Sequence, residues 1–190
     1  MTNVTISGNT AADAAGGLMQ TGSTTGTLVN CTVASNTLSG FAVGSGGLQV
    51  YSTVNMTNTL LAYNDNTNCL IGGSSGSLNS YGHNLEDGDS CDLGATGDIT
   101  GTDPLLGPLG YYGGPTVGSM GSQEPMRLQA LRSNSPAVDK GDDAGCPSVD
   151  QRGVSRPVDG DKSGVATCDI GTYEFNLLND AFLPLVLKSY

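Results

Sequence analysis

Short runs of β-branched or apolar residues alternating with small polar ones recur along the first third of the chain. They read NVTISGNT at 3–10, NCTVASNT at 30–37 and NTLLAYND at 58–65. Within them Val4-Thr5-Ile6, Cys31-Thr32-Val33 and Thr59-Leu60-Leu61 have the composition of short strands. The closing asparagines Asn9, Asn36 and Asn64 are 27 and 28 residues apart. A second echo lies between the phrases, GGLMQTGST at 16–24 and GGLQVYSTV at 46–54. Each period therefore holds at least two short strands separated by Gly-rich corners. A period in the twenties without helical patterning predicts an all-β solenoid whose layers stack about 4.8 Å apart. Ile6, Val33 and either Leu60 or Leu61 then stack inside. Asn9, Asn36 and Asn64 are expected to form a structural ladder. Asparagine tolerates left-handed backbone at a corner, and its amide bonds along an in-register stack.

Composition narrows the picture. Gly accounts for 29 of 190 residues, Trp is absent and aromatics make up 5%, poor material for a helical bundle. Charged residues make up only 13%, unlike a disordered acidic tail. Residues 1–126 contain nine acids and no Lys or Arg; residues 127–190 contain nine acids and all seven bases. A surface without cations releases no counterions from a phosphate backbone, so nucleic acid is excluded as a partner. No stretch approaches the roughly 20 apolar residues of a membrane-spanning helix.

Cys69 and Cys91, and Cys146 and Cys168, are each 22 residues apart in turn-rich sequence. They are expected to form disulfides, each worth about 3 kcal/mol in the chain-entropy model, whereas Cys31 reads as a small buried thiol. Disulfides imply an oxidising, extracellular setting. Met1 is followed at once by a strand phrase and not by a signal peptide. The expectation is that an export signal and upstream residues lie outside this sequence, or that its start is misassigned. Three glycosylation sequons begin at Asn3, Asn30 and Asn55.

The second half carries GGPT at 113–116, SPAVDKGD at 135–142, DQRGVSRP at 150–157 and CDIGTYE at 168–174. This ordered set resembles the choice-of-anchor type Q domain, over about residues 60–175. That domain typically ends right-handed parallel β-helix proteins secreted by bacteria. The resemblance implies a short right-handed parallel β-helix over 1–100, a loop-rich disulfide-linked C-terminal cap over 101–175 and an apolar tail over 176–190. It also implies a secreted or surface-attached bacterial protein, and no particular reaction. Arg152 and Arg156 are expected to fork onto Asp139, Asp150 or Asp169 and to fix loops that close the end of the solenoid.

Candidate chemistry is sparse. A β-helix polysaccharide lyase needs a base, and residues 1–126 have no Lys or Arg; a hydrolase needs paired carboxylates, and the early repeats have only Asp13 and Asp65. The expectation is a non-enzyme, with a carbohydrate-active β-helix remnant or a calcium-dependent glycan-binding module as alternatives. His83 reads as a turn residue. DGDKSG at 159–164 opens like a calcium loop, with Asp159, Asp161 and Ser163 as ligands. Ile170 stands where such a loop wants a bidentate Glu, which favours a plain Asp/Gly turn. Apart from that calcium no cofactor is implied. The tail, with Phe182, Leu183, Leu185, Val186 and Leu187, either lies along its own domain or docks as a strand on a neighbouring copy. The resulting expectation is an extracellular, self-associating structural protein, a homo-oligomer or filament, surface-layer or adhesin subunit, with glycans as further candidate partners.

Overall fold

The computed structural model describes residues 1–40, 44–119 and 123–177. Among them the fold is all-β, with one short 3-10 turn, Asp143–Gly145. Three parallel sheets dominate. The first joins β1 (Thr5–Ser7), β5 (Thr32–Ala34), β9 (Leu60–Ala62) and β12 (Leu85–Glu86). The second joins β3 (Leu18–Gln20), β7 (Leu48–Val50) and β10 (Cys69–Ile71). The third joins β4 (Thr25–Val29), β8 (Thr53–Thr57) and β11 (Ser77–Ser80). β2 (Thr10–Ala11) pairs with β6 (Thr37–Leu38), also in parallel. Each of the three sheets receives its next strand only after the chain has visited the other two. The strands β1, β3 and β4 are terminal in their sheets.

Register explains the repeated phrases. Ile6 pairs with Val33 and Val33 with Leu61, while Thr5, Thr32 and Leu60 form the neighbouring row. Leu61 is thus the inward residue. Successive strand side chains point to opposite faces, so Val33 and Leu61 join Leu28, Leu48, Val50, Val54 and Met56 in an inner core. Ala34, Leu60, Ala62 and Leu85 face the other way, into a second core with Leu128, Ile170, Tyr173 and Phe175. Strands β5, β9 and β12 of the first sheet are buried throughout, as the apolar run Leu60-Leu61-Ala62 requires.

The segment from 101 to 175 was expected to close the end of the stack, but it lies along the outer face of the first sheet. Thr5 Oγ1 donates to Gln151 and Ser7 Oγ to Gln129, Thr32 bonds Thr172, and His83 meets the Lys140 carbonyl. Every strand of that sheet presents an apolar or hydroxyl face that needs cover, and one lateral segment covers all of them. At the far end, residues 96–101 continue the stack, with Ile99 bridging Leu85 and accepting from the Glu86 amide.

The Gly-Gly corners are set by close approach. A Cβ on Gly46 would lie 2.3 Å from the Asp65 amide nitrogen, and one on Gly47 2.2 Å from the Asn68 carbonyl oxygen. Both obstacles are backbone and cannot swing aside. Gly47→Ala is expected to destabilise the chain by roughly 2 kcal/mol or more, read from its urea midpoint, because overpacking of fixed structure costs that much. A midpoint within error of the parent would show that the corner relaxes freely.

Candidate functional site

Two columns of side chains run along the stack at the two ends of the first sheet. The inner one contains the expected asparagines. The Asn9 backbone N–H and Nδ2 both donate to Asn36 Oδ1, at 3.1 and 2.9 Å. Asn36 repeats both bonds to Asn64 Oδ1, at 3.1 and 3.0 Å. Asn64 passes the ladder to Asn68, whose amide ends on Glu86 and Asp87. Contrary to expectation, these asparagines are not the left-handed residues. That conformation belongs to the position before each, Gly8 (φ 70°), Ser35 (57°) and Tyr63 (57°). None of the three asparagines has positive φ, and their amides still join the ladder.

The outer column is one that sequence reasoning missed. Asn3, Asn30, Asn58 and His83 stand at the corner entering the first sheet, with φ of 53°, 47°, 50° and 54°. Their backbones bond layer to layer, Asn3 N–H to Val29, Asn30 N–H to Thr57, Asn58 N–H to Gly82 and His83 N–H to Thr96. Their side chains reach the lateral segment. Asn3 Nδ2 donates to the Val149 carbonyl at 2.7 Å and Asn30 Nδ2 to the Asp169 carbonyl at 3.1 Å. Asn58 donates to the Asp142 carbonyl and accepts from the Asp142 amide at 2.7 Å. His83 Nδ1 lies 2.7 Å from the Lys140 carbonyl. The available signal was the asparagine that opens each phrase as well as the one that closes it. The amides of the sequon residues Asn3 and Asn30 are therefore engaged, and Asn30 is fully buried.

Beneath this column lies a buried cluster of four acids, Asp139, Asp150, Asp169 and Glu174, and two arginines, Arg152 and Arg156. Arg152 pairs with Asp150 at 2.7 Å, donates to the Glu174 carbonyl and covers the Tyr173 ring with its guanidinium 3.6 Å from the centroid. Arg156 does not fork onto Asp139, Asp150 or Asp169. Its Nε lies 3.4 Å from Glu174 Oε2, an ion pair off the hydrogen-bond line, and its Nη2 donates to the Gly171 carbonyl at 2.8 Å. Asp169 accepts from the amides of Asp139 and Phe175, and Glu174 from those of Val158 and Asp169. Two guanidinium groups cannot balance four buried carboxylates. Burial pushes the Glu174 carboxyl up to about 7, and burial together with the Glu174 charge pushes Asp169 well above the carboxylate range. The Arg156 guanidinium is lowered by the same loss of water.

Both expected disulfides are present, Cys69–Cys91 and Cys146–Cys168, and Cys31 is a buried free thiol. Of the expected calcium ligands, Asp159 and Asp161 converge with Asp139, their oxygens within 4.8 Å of one another. Ser163 instead donates its amide to Asp159 and Asp161, and its hydroxyl to the Val165 carbonyl. The Asp139 oxygens take the amides of Gly160 and Asp161. One oxygen from each carboxylate converges, three in all, against the roughly six to eight oxygens that calcium takes. The assembly residues Phe182, Leu183, Leu185, Val186 and Leu187 lie outside the described residues. A groove of about 550 Å³ between Gly107, Tyr112, Ala130, Arg132, Phe175 and Leu177 ends at the last described residue. Comparison of the chain with protein-family models, curated proteins and solved structures found no match.

The raised carboxyls set a pH dependence. The folded chain holds the Glu174 proton from about pH 4.5 to about 7, where the unfolded chain has lost it. Stability is therefore greatest at the acid end of this window and is lost as pH rises through about 7, by on the order of 3 kcal/mol. Asp169 acts in the same direction. The melting temperature is expected to be roughly 5 °C or more higher at pH 5 than at pH 8. A Glu174→Gln chain should show a flatter profile, and an unchanged profile would contradict the assignment.

Proposed function

We propose that this chain is an extracellular structural protein of a bacterial surface. In this reading it is a short right-handed parallel β-helix whose C-terminal part is of the choice-of-anchor type, and it catalyses no reaction. Copies associate into a filament, surface layer or adhesin assembly when the C-terminal strand of one, residues 182–187, docks on its neighbour. The observation that carries the reading is the arrangement of terminal strands. β1, β3 and β4 are each terminal in their sheets among the described residues, the end of β4 being taken by Met1 and Asn3, and the edges of β1 and β3 are of the kind that receives an added strand. Two disulfides support the extracellular setting. Head-to-tail docking of this kind is heterologous and extends into filaments unless the rotation closes a ring.

Electron microscopy of the native protein is expected to reveal regular assemblies, and deletion of residues 181–190 should leave folded monomers. Dispersed particles from the full chain, or assembly of the deletion equal to that of the full chain, would overturn the reading.

The convergence of Asp139, Asp159 and Asp161 favours a second reading, a calcium-dependent glycan-binding module. It predicts that millimolar calcium raises the melting temperature, since a ligand of the folded state stabilises it by mass action. A melting temperature that ignores calcium would remove this second reading and leave the first intact.

A further inference from the structure

The two disulfides sit in different electrostatic surroundings. Cys69 and Cys91 are both 3% exposed and belong to the inner core with Leu48, Val50 and Leu61. Among the described residues no cation bonds either sulfur. Cys146 is partly buried, in a loop between the exposed Gly145 and Ser148. Cys168 is fully buried. Arg156 Nη1 donates to Cys168 Sγ at 3.3 Å and lies farther from Cys146 Sγ, at 4.0 Å. Asn30 Nδ2 lies 3.5 Å from the same Cys168 sulfur. The nearby carboxylates are turned elsewhere: Asp143 accepts from the Cys168 backbone amide, and Glu174 faces the Nε side of Arg156.

A disulfide breaks by attack of a thiolate on one sulfur and departure of the other, and the sulfur better stabilised as a thiolate leaves faster. A guanidinium beside a sulfur favours its thiolate form. Here the less buried sulfur and the stabilised sulfur are the two halves of one bond. We propose that Cys146–Cys168 is a thiol-exchange site, at which a dithiol reductant attacks Cys146 and Cys168 leaves as a thiolate held by Arg156 and Asn30. In the first step the reductant sulfur bonds Cys146 Sγ, and the electron pair of the broken bond stays on Cys168 Sγ. In the second, the other thiolate of the reductant attacks its own sulfur in the mixed disulfide and releases the Cys146 thiolate. Two electrons pass to the protein, and the reductant leaves as a cyclic disulfide.

The consequence is local to the outer column. Cys146 directly follows the 3-10 turn whose N-cap, Asp142, is clamped on Asn58. Cys168 adjoins Asp169, whose carbonyl is clamped on Asn30. The bond ties two points of the lateral segment that grip successive layers. Its exchange acts as a thiol-controlled latch on that grip, while Cys69–Cys91 stays closed inside the core.

The test uses the full native chain and glutathione in buffer without denaturant. The reaction is quenched by alkylation in denaturant, and the cysteines are mapped by mass spectrometry. The expected product carries glutathione on Cys146 and the alkyl label on Cys168, formed about tenfold or more faster than any product of Cys69–Cys91. Glutathione on Cys168, or opening of Cys69–Cys91 at an equal or greater rate, would overturn the proposal. Arg156→Gln is expected to slow opening of Cys146–Cys168 about tenfold, and Arg156→Lys to restore part of the rate. An unchanged ratio of the two disulfides' rates in a folded Arg156→Gln chain would remove Arg156 from the mechanism. Should that variant fail to fold, the position of the adduct on the native chain still decides.

Discussion

The corner at which the chain enters the first sheet is the constraint on which the rest of the molecule depends. Asn3, Asn30, Asn58 and His83 take left-handed backbone there, and their side chains project away from the inner core. Each then meets a carbonyl of the lateral segment, and Asn58 closes a reciprocal pair with Asp142. A net gain of about 1 kcal/mol per bond is modest, but an unpaired buried amide would cost more. Buried Asn30 and Asn58 therefore specify one position of the segment more strongly than they stabilise it. The hydroxyls of Thr5 and Thr32, both bonded to Thr172, fix the same register one step farther along the strand.

Because the column holds the segment against the sheet, the second core can form. On the outer face Leu60, Ala62 and Leu85 pack against residues that the segment brings, among them Leu128, Ile170 and Phe175. The first sheet is thus a shared wall, and neither core is complete without it. A chain with 3 Phe and no Trp has few large residues to spend, and it places Phe175 and Tyr173 together in the outer core.

The same segment accepts an electrostatic cost. Four buried carboxylates share two guanidinium groups, so part of the cluster is kept neutral. Replacing such a group with a well-packed apolar set is often neutral or stabilising. What the cluster does here is satisfy backbone amides in a region with little regular secondary structure. Asp150, Asp169 and Glu174 accept amides from Arg152, Val154, Asp139, Phe175 and Val158, where strand ladders would otherwise do so. Arg156 links this cluster to the Cys146–Cys168 bond, so proton binding and thiol chemistry touch the same few residues.

The sequence by itself determined the parts that depend on near neighbours and on repetition. In-register stacking imposes the same local demands on every layer, so strand phrases, Gly-Gly corners and the inward ladder of Asn9, Asn36 and Asn64 recur visibly along the chain. Turn-rich loops with equal cysteine spacings were sufficient to pair Cys69 with Cys91 and Cys146 with Cys168. Tertiary structure alone decided what those elements face. A ladder amide can bond without left-handed backbone at its own residue, and the left-handed residue falls one position earlier, at Gly8, Ser35 and Tyr63. Nothing local distinguishes a segment that closes the end of a stack from one that lies along its side, because the Thr, Ser and Asn that receive it resemble solvent-facing residues. Arg156 has several acids within reach along the sequence, and only the fold brings Glu174 to its guanidinium and Asp139 to Asp159 and Asp161. Such partners are chosen by distance in space between residues whose separation along the chain carries no pattern.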